Sequence, residues 1–222
     1  MSITHHPTEA TVLDHAAGRM HAATGAVVAA HLQACPQCRA LARMGEAIGG
    51  SLLEALTPEA MAPDALAVAM ALLDRPAPVP PAPPPPALLD GVELPRVVQR
   101  LAQRRGGLGR WRWLAPGIQR ISLLPEPGAR RDGTVLYLLK IAPGTAIPEH
   151  GHHGHEMVCV LAGSFTDALG QFRPGDLAET GPEVEHTPVA DAGTSCICLS
   201  ATDAPLRFRS RAARLMQSVM GY

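Results

Sequence analysis

Apolar residues along the first 75 positions recur at steps of three and four. The four runs are Val12, Leu13, Ala16 and Ala17; Val27, Val28 and Leu32; Leu41, Met44 and Ile48; and Leu66, Ala69, Met70 and Leu73. Such spacing places the members of each run on one face of a helix. The pattern therefore predicts a helical domain of three or four short helices, which we bound at residues 1–75.

A proline-rich segment, RPAPVPPAPPPP from Arg75 to Pro86, ends this pattern. Proline fixes φ and removes a backbone donor, so neither a helix nor a central strand can form there. We interpret residues 76–90 as a linker of stiff polyproline II chain. A spacer of this kind transmits little structure, and we expect the two flanking domains to be separable.

Beyond the linker the apolar runs become short and are bounded by turn residues. Examples are Val135–Ile141, Met157–Leu161 and Thr194–Ser200, with Pro174-Gly175-Asp176 among the turn signals between them. Many short strands at such spacing are typical of a barrel or a sandwich. Residues 91–222 are therefore predicted to form an all-β domain, and the fold class is multidomain α + β.

Composition and charge exclude several classes of function. Lys and Arg number 19 against 20 Asp and Glu, and no basic run provides a phosphate-binding face, so we expect no direct nucleic-acid binding. No apolar run approaches the roughly 20 residues of a membrane helix, and the N-terminus lacks the apolar segment of a signal peptide. We expect a cytoplasmic protein whose five cysteines are thiols or metal ligands.

His31, Cys35 and Cys38 form the pattern H-x3-C-x2-C. The spacing places all three within one helical face, but Pro36 cannot lie inside a helix. We therefore expect His31 to end one helix and Cys35 to cap the next, with Pro36 in its first turn. These ligand types are the ones that zinc prefers, and the alternative is an unligated cysteine pair beside a solvent-facing histidine.

Tetrahedral zinc needs a fourth nitrogen or sulfur ligand. The adjacent His5 and His6 are the nearest source, and His15 and His21 remain open.

A second metal-ligating pattern lies in the predicted barrel. Gly144 to Gly163 reads G-x5-H-x-H-x3-E-x6-G and matches the first cupin motif, with His150, His152 and Glu156 at its ligand positions. Strand parity lets all three point into a barrel. Three histidines and one carboxylate can hold zinc, manganese, iron or nickel.

The second cupin motif is less complete. Pro174-Gly175-Asp176 followed by His186 resembles it, although the spacing is looser than usual and the customary distal Asn is absent. His186 is the expected fourth ligand. The alternatives are a metal-free cupin with surface histidines, or His155 as a ligand in place of His152, and we expect His153 and His155 to lie in a solvent-facing loop.

Taken together, these motifs resemble the ChrR-type zinc anti-sigma factors over nearly the whole chain, with the linker as the least similar part. The resemblance implies a small zinc-binding helical bundle followed by a cupin, that is, a double-stranded β-helix or jelly-roll barrel. It places one zinc ion on His6, His31, Cys35 and Cys38, with His5 as a non-ligand neighbour. A second zinc, or another divalent metal, would bind in the barrel.

The resemblance also implies a function without catalysis. The helical domain would sequester an extracytoplasmic-function (ECF) sigma factor, and the cupin would be needed to release it on an oxidative signal, singlet oxygen in the ChrR group. No membrane or nucleic acid is an expected partner. The alternatives are a cupin metalloenzyme, dioxygenase-like, with an accessory zinc module, and a metal-storage or other interaction protein.

Cys196 and Cys198 form C-x-C in an apolar strand, where strand parity puts both thiols on one face. We interpret them as small buried residues, while the ChrR resemblance keeps a redox-sensing role open. Cys159 has the opposite parity to Glu156 and is expected to pack. Trp111 and Trp113 are expected to support the outer sheet or the contact between domains.

Overall fold

The computed structural model describes residues 2–73, 75–76, 87–124 and 134–209. Most of the polyproline II conformation that we predict for Arg75–Pro86 therefore lies outside the described residues. The end of the predicted linker is described: residues 88 and 89 form a short strand that pairs with residues 92 and 93 in a hairpin.

Five helices lie in the described residues. They are α1 (Glu9–Ala16), α2 (Ala22–Ala34), α3 (Pro36–Glu54), α4 (Ala65–Leu73) and α5 (Arg96–Arg104). The four periodic runs of the sequence fall on α1 to α4, so the predicted helical N-terminal region is confirmed. Helix α5 was not predicted, although its apolar positions Val97, Val98 and Leu101 follow a helical period between arginines.

The β-domain is built from short antiparallel strands. They are β1 (Leu88–Leu89), β2 (Val92–Glu93), β3 (Arg112–Ala115), β4 (Ile118–Leu124), β5 (Val135–Ile141), β6 (His150–His152), β7 (Glu156–Ala162), β8 (Phe165–Asp167), β9 (Gly170–Phe172), β10 (Leu177–Thr180), β11 (Glu185–His186), β12 (Val189–Ala190), β13 (Cys196–Thr202) and β14 (Leu206–Phe208). A six-stranded sheet has the order β10-β7-β13-β5-β4-β3, and two three-stranded sheets have the orders β11-β6-β14 and β12-β8-β9. This arrangement is the predicted cupin barrel.

The inner face of the six-stranded sheet forms the barrel core. Val160 and Cys198 from this sheet share one cluster of buried residues with Phe165 and Phe172 from the β12-β8-β9 sheet. Alternate residues of a strand point to opposite faces, so the neighbours of these residues must point away from the barrel interior.

The outer face of the same sheet packs against α2. Val27 and Val28 of α2 share a single buried cluster with Met157, Cys159 and Leu199 of the sheet. Helix α2 is rich in alanine and apolar on nearly every side, which suits a helix that is covered by a sheet. The helical domain and the barrel are therefore joined by a common core as well as by the linker.

Helices α3 and α4 have no such cover in the described part of the chain. Every residue of α4, ALAVAMALL, is apolar, yet none of them is buried. The second half of α3 also exposes large apolar side chains, including Ile48 and Leu52. None of the helices in the described ranges is both long and apolar enough to cross a membrane.

Candidate metal centres

His6, His31, Cys35 and Cys38 come together in the helical domain. Their ligand atoms all lie within 4.8 Å of one another. The Nδ1 atom of His6 lies 3.5 Å from Sγ of Cys35 and 3.4 Å from Sγ of Cys38. Tetrahedral zinc with bonds of about 2.1 Å to nitrogen and 2.3 Å to sulfur separates such ligand atoms by about 3.6 Å.

The break between α2 and α3 places three of the four residues. His31 lies in the last turn of α2, which continues to Ala34, and Cys35 is the N-cap of α3 with Pro36 at its first position. Sγ of Cys35 accepts a hydrogen bond from the backbone N–H of Cys38 at 3.4 Å. The predicted helix–cap–helix arrangement is present, and it turns both thiols toward His31 and His6.

The protonation states of the His31 ring and the Cys38 thiol favour a bound cation. Nδ1 of His31 donates to the carbonyl of Gly175 at 2.7 Å, while its buried Nε2 has no hydrogen-bond partner among the described residues. Burial lowers the pKa of His31, so the ring is neutral and its Nε2 lone pair is available. Burial and the adjacent Cys35 thiol raise the pKa of Cys38 to about 11, so a cation is needed to hold both thiolates.

The other histidines of the helical domain lie outside this group. The ring of His5 packs on Phe172 with centroids 4.2 Å apart, and Nδ1 of His21 accepts from the backbone of Ala23 at the start of α2. His15 lies in the last turn of α1. Of the histidines that the sequence left open for the fourth position, the structure therefore brings only His6 into the group with His31, Cys35 and Cys38.

His150, His152, Glu156 and His186 form the second group, inside the barrel. All four are buried, and their ligand atoms lie within 4.8 Å of one another. Nε2 of His186 lies 3.2 Å from Nε2 of His150, and Nε2 of His152 lies 3.2 Å from Oε2 of Glu156. Metal bonds of about 2.0 to 2.1 Å place neighbouring ligand atoms about 3.0 to 3.5 Å apart, so the group fits a divalent metal.

The remaining barrel histidines stand apart. His153 is exposed, and His155 lies on the surface with Nδ1 3.5 Å from Oδ2 of Asp203. The structure places His152 in the group, and His155 lies outside it. Despite the loose second motif, β11 pairs with β6 so that His186 lies directly opposite His150.

The whole chain is similar to a known anti-sigma factor. The anti-sigma-E factor ChrR of Cereibacter sphaeroides is 42% identical over 221 residues, which is 98% of this chain and 98% of the relative. The chain belongs to the ChrR family of anti-sigma factors. The family model described as the ChrR cupin-like domain matches residues 108–204. Membership of this family assigns the chain a regulatory and not an enzymatic role.

One solved structure gives the same relationship. The crystal structure of Rhodobacter sphaeroides SigE in complex with the anti-sigma ChrR matches with a TM-score of 0.71 and 39% identity, covering 90% of this chain and 99% of that chain. An RmlC-like cupin protein from Ralstonia eutropha matches with a TM-score of 0.40 and 22% identity, covering 46% of this chain and 68% of that chain.

The structure of this ChrR-family chain adds residues that support the barrel group and that the motifs did not reveal. Oδ2 of Asp167 accepts from Nδ1 of His186 at 2.7 Å, and the carbonyl of Pro148 accepts from Nδ1 of His150 at 2.8 Å. The hydroxyl of Tyr137 donates to Oε1 of Glu156 at 3.3 Å. Asp167 and Tyr137 belong to no ligand motif, so the sequence by itself gives no signal for them.

The electrostatics of the barrel group keep its carboxylate ionised. Burial opposes ionisation, but the His150 and His152 imidazoles hold the pKa of Glu156 well below its usual range. For His150, burial lowers the pKa and the Glu156 carboxylate raises it, and the second effect prevails. An ionised carboxylate facing imidazole nitrogens is a donor set for a hard or borderline divalent cation.

An apolar cavity of about 100 Å³ adjoins the barrel group in this ChrR-family chain. Its wall includes Leu139 and Phe165, and it reaches the ligand residues His150, Glu156 and His186. The space beside these residues is therefore small and largely apolar.

The cysteines of the barrel divide between the two faces of the sheet. Cys198 lines the cavity and lies 3.5 Å from Cys196, Sγ to Sγ, while Cys159 faces α2 in the core that joins the domains. A hydrogen bond with Cys196 and burial raise the pKa of Cys198 well above its usual range, and burial raises that of Cys159 to about 12. All three thiols are free and buried.

The two tryptophans behave differently. Nε1 of Trp111 donates to Asp90 at 3.1 Å, and its ring packs against the core that joins the domains. Trp113 is largely exposed on β3. Trp111 therefore fits the expected support of the outer sheet, and the ring of Trp113 contributes little to it.

Proposed function

We propose that this chain binds and sequesters an ECF sigma factor through its helical domain and releases it on oxidative stress. The relative that is 42% identical carries the name anti-sigma-E factor, and the matched crystal structure is of SigE in complex with ChrR. An anti-sigma factor meets its sigma factor in the cytoplasm, where we place this chain. We assign sigma binding to residues 1–75 and the response to residues 91–222.

The observation that carries this proposal is the set of uncovered apolar side chains on α3 and α4. We name it the α3–α4 surface; its large exposed members are Met44, Ile48, Leu52, Leu53, Leu66, Val68, Met70, Leu72 and Leu73. Apolar area of this extent on a small domain marks a protein-binding site. The proposed partner is the sigma factor, since the relative's name and the matched complex both specify that class.

Zinc is the metal that we propose for the helical group. Two histidines and two cysteines form a typical structural zinc site. The buried core of the helical domain itself consists of Val12, Cys35, Cys38 and Ala42, so two of its four members are also ligands. A core this small gains much of its stability from a bound metal.

In the barrel we propose zinc or another divalent metal on His150, His152, Glu156 and His186. Release by an oxidant is supported by the cavity, because singlet oxygen is small and uncharged and three of the proposed ligand residues line this apolar space. When bound, the metal would hold the three imidazoles and the carboxylate together, and damage to any of them would loosen the group.

A sigma-dependent reporter in cells that carry the chain and its sigma factor tests this function. Cys35→Ala or Cys38→Ala should lose one equivalent of zinc and release the sigma factor without stress. Each of these cysteines is both a proposed zinc ligand and a buried residue of the helical core. His150→Ala or His186→Ala should repress normally but fail to respond to an oxidant. His155→Ala, an exposed barrel histidine outside the group, is the matched control and should behave as the wild type.

Two results would contradict the proposal. Unchanged zinc content in both cysteine variants would remove the helical metal assignment. Reporter activity without stress in the barrel-ligand variants would mean that the barrel belongs to the inhibitory surface and not to the response.

A further inference from the structure

A turn of the barrel, Arg173–Asp176, lies against the helical metal group. The side chain of Asp176 is only 1% exposed. Its Oδ1 accepts from the backbone N–H of Thr4 at 2.7 Å and of His5 at 3.0 Å, and its Oδ2 accepts from the N–H of Arg173 at 2.8 Å. One buried carboxylate therefore ties the N-terminal segment to the barrel.

The N-terminal segment is bonded to the barrel at further points. The backbone N–H of Leu177 donates to the carbonyl of His5 at 3.1 Å. Farther along, the N–H of Thr8 donates to Oε2 of Glu179 at 2.9 Å. His6 lies between these anchors, so the direction in which it presents its ring is set by the edge strand β10 and the turn before it.

The same turn also contacts a second ligand. The carbonyl of Gly175 accepts the Nδ1 proton of His31 at 2.7 Å, which leaves Nε2 as the nitrogen facing the thiols. Gly175 has φ +94, and a Cβ added there would lie 2.8 Å from Cδ1 of Ile3. Glycine is therefore needed both for the backbone conformation and for the close approach of the two domains.

We propose that Asp176 and Gly175 are positioning residues of the helical zinc site. All four ligands belong to the helical domain, but two of them are oriented by the barrel. Partners of this kind fix the tautomer and the direction of a ligating imidazole, and losing one commonly weakens metal binding about 10- to 100-fold. The inference rests on the zinc assignment proposed above.

The turn is also fastened to the strand that carries a barrel ligand. The N–H of Gly175 donates to the carbonyl of Val160, and the N–H of Val160 donates to the carbonyl of Asp176, at 2.9 and 3.1 Å. Val160 lies on β7, which begins with Glu156. The turn thus connects the strand of one metal group with the ligands of the other.

Cobalt titration of the full-length protein tests the proposal. Thiolate-to-cobalt charge-transfer absorption in the near ultraviolet reports the helical group alone, since the barrel group has no thiolate. Zinc affinity of the same site follows from displacement of cobalt in the presence of a competing chelator. Asp176→Asn should weaken binding of both ions at the helical group about 10- to 100-fold while the barrel keeps its metal.

Asp191→Asn is the matched control. Asp191 is another barrel aspartate with several hydrogen bonds, which come from Ser164, Thr166 and Gln171 of the barrel itself. It should leave the affinity of the helical group unchanged. Gly175→Ala is a second test variant that keeps all charges, and it should weaken the helical group selectively because its methyl group displaces Ile3.

An affinity within about twofold of the wild type in both Asp176→Asn and Gly175→Ala would overturn the proposal. Equal loss of metal from both groups would also overturn it, because that indicates general unfolding. A different result would contradict the zinc assignment itself. In that case the wild type would show no charge-transfer band, whereas the assignment predicts a band that Cys38→Ser abolishes. If the wild type shows the band and Asp176→Asn and Gly175→Ala keep its metal affinity, only the positioning role is contradicted.

Discussion

At the scale of single residues, most of the histidines proposed as ligands have one nitrogen held by the protein and the other directed at the rest of their group. The acceptors are the Gly175 carbonyl for His31, the Pro148 carbonyl for His150 and the Asp167 carboxylate for His186. Each of these bonds leaves Nε2 as the metal-facing atom. The tautomers are therefore set by residues that are not themselves ligand positions of the motifs.

Asp167 provides a direct test of this arrangement. Burial disfavours its charge, yet the hydrogen bond with His186 keeps the pKa of Asp167 below its usual value. Asp167→Asn should lower the metal affinity of the barrel about 10-fold, measured by chelator competition. Asp203→Asn changes a carboxylate that pairs with the exposed His155 and is the control. Equal metal affinity in the two variants would contradict a role for Asp167.

The buried thiols give a second residue-scale prediction. Because the pKa values of Cys159 and Cys198 are raised, their thiolates are scarce near neutral pH, and the thiolate is the reactive form. In the folded metal-loaded protein, an alkylating reagent should leave Cys159, Cys196 and Cys198 unmodified by mass spectrometry. Replacing Cys196 and Cys198 with Ser should leave oxidant induction intact. Rapid alkylation of Cys198 in the native state would restore the redox interpretation.

At the scale of elements, two alanine-rich apolar helices differ in their burial. Helix α2 packs on the outer face of the barrel sheet, whereas α4 exposes its apolar residues. Hydrophobic pattern alone does not distinguish them, because both are apolar on nearly every side. The difference lies in which helix the chain brings to the sheet.

Charge placed on the α3–α4 surface should weaken sigma binding. Leu66 and Leu73 are 74% and 75% exposed, so substitution should leave the fold and the zinc content unchanged. Burial of one leucine contributes roughly 1.5 to 3 kcal/mol, so Leu66→Glu or Leu73→Glu should weaken binding about 10- to 100-fold by calorimetry. Leu169→Glu, an exposed leucine between β8 and β9, is the control. Wild-type affinity in both α4 variants would move the interface elsewhere.

At the scale of the whole molecule, the helical domain and the barrel are one packed unit. Val27 and Val28 of α2 are buried against the sheet, and the turn at Gly175 reaches His31. A fragment that ends at Arg75 keeps the four ligands and the α3–α4 surface but loses both of these contacts.

Such a fragment should still bind and silence the sigma factor without responding to oxidant. It should also unfold at a lower temperature than the helical domain within the full chain, because α2 loses its apolar cover. Calorimetric melting of the zinc-loaded fragment and the zinc-loaded full chain measures this difference, and the reporter measures silencing. A fragment that cannot silence the reporter would show that the barrel is needed for inhibition.

Local features of the sequence determined much of this protein. Helical periodicity located α1 to α4, Pro36 located the break that turns Cys35 into an N-cap, and the bounds predicted for β5 are those observed. The eight residues expected as ligands fall into two groups, because motif spacing reflects helix and strand geometry over a few positions.

Only the tertiary structure decided the rest. The Asp176 and Gly175 contacts with residues of the helical domain span 144 to 172 positions along the chain, and no periodicity extends that far. The burial of α2, the exposure of α4 and the support of His186 by Asp167 depend on which surfaces meet. Spacing determines which residues share a face, whereas packing determines what that face contacts.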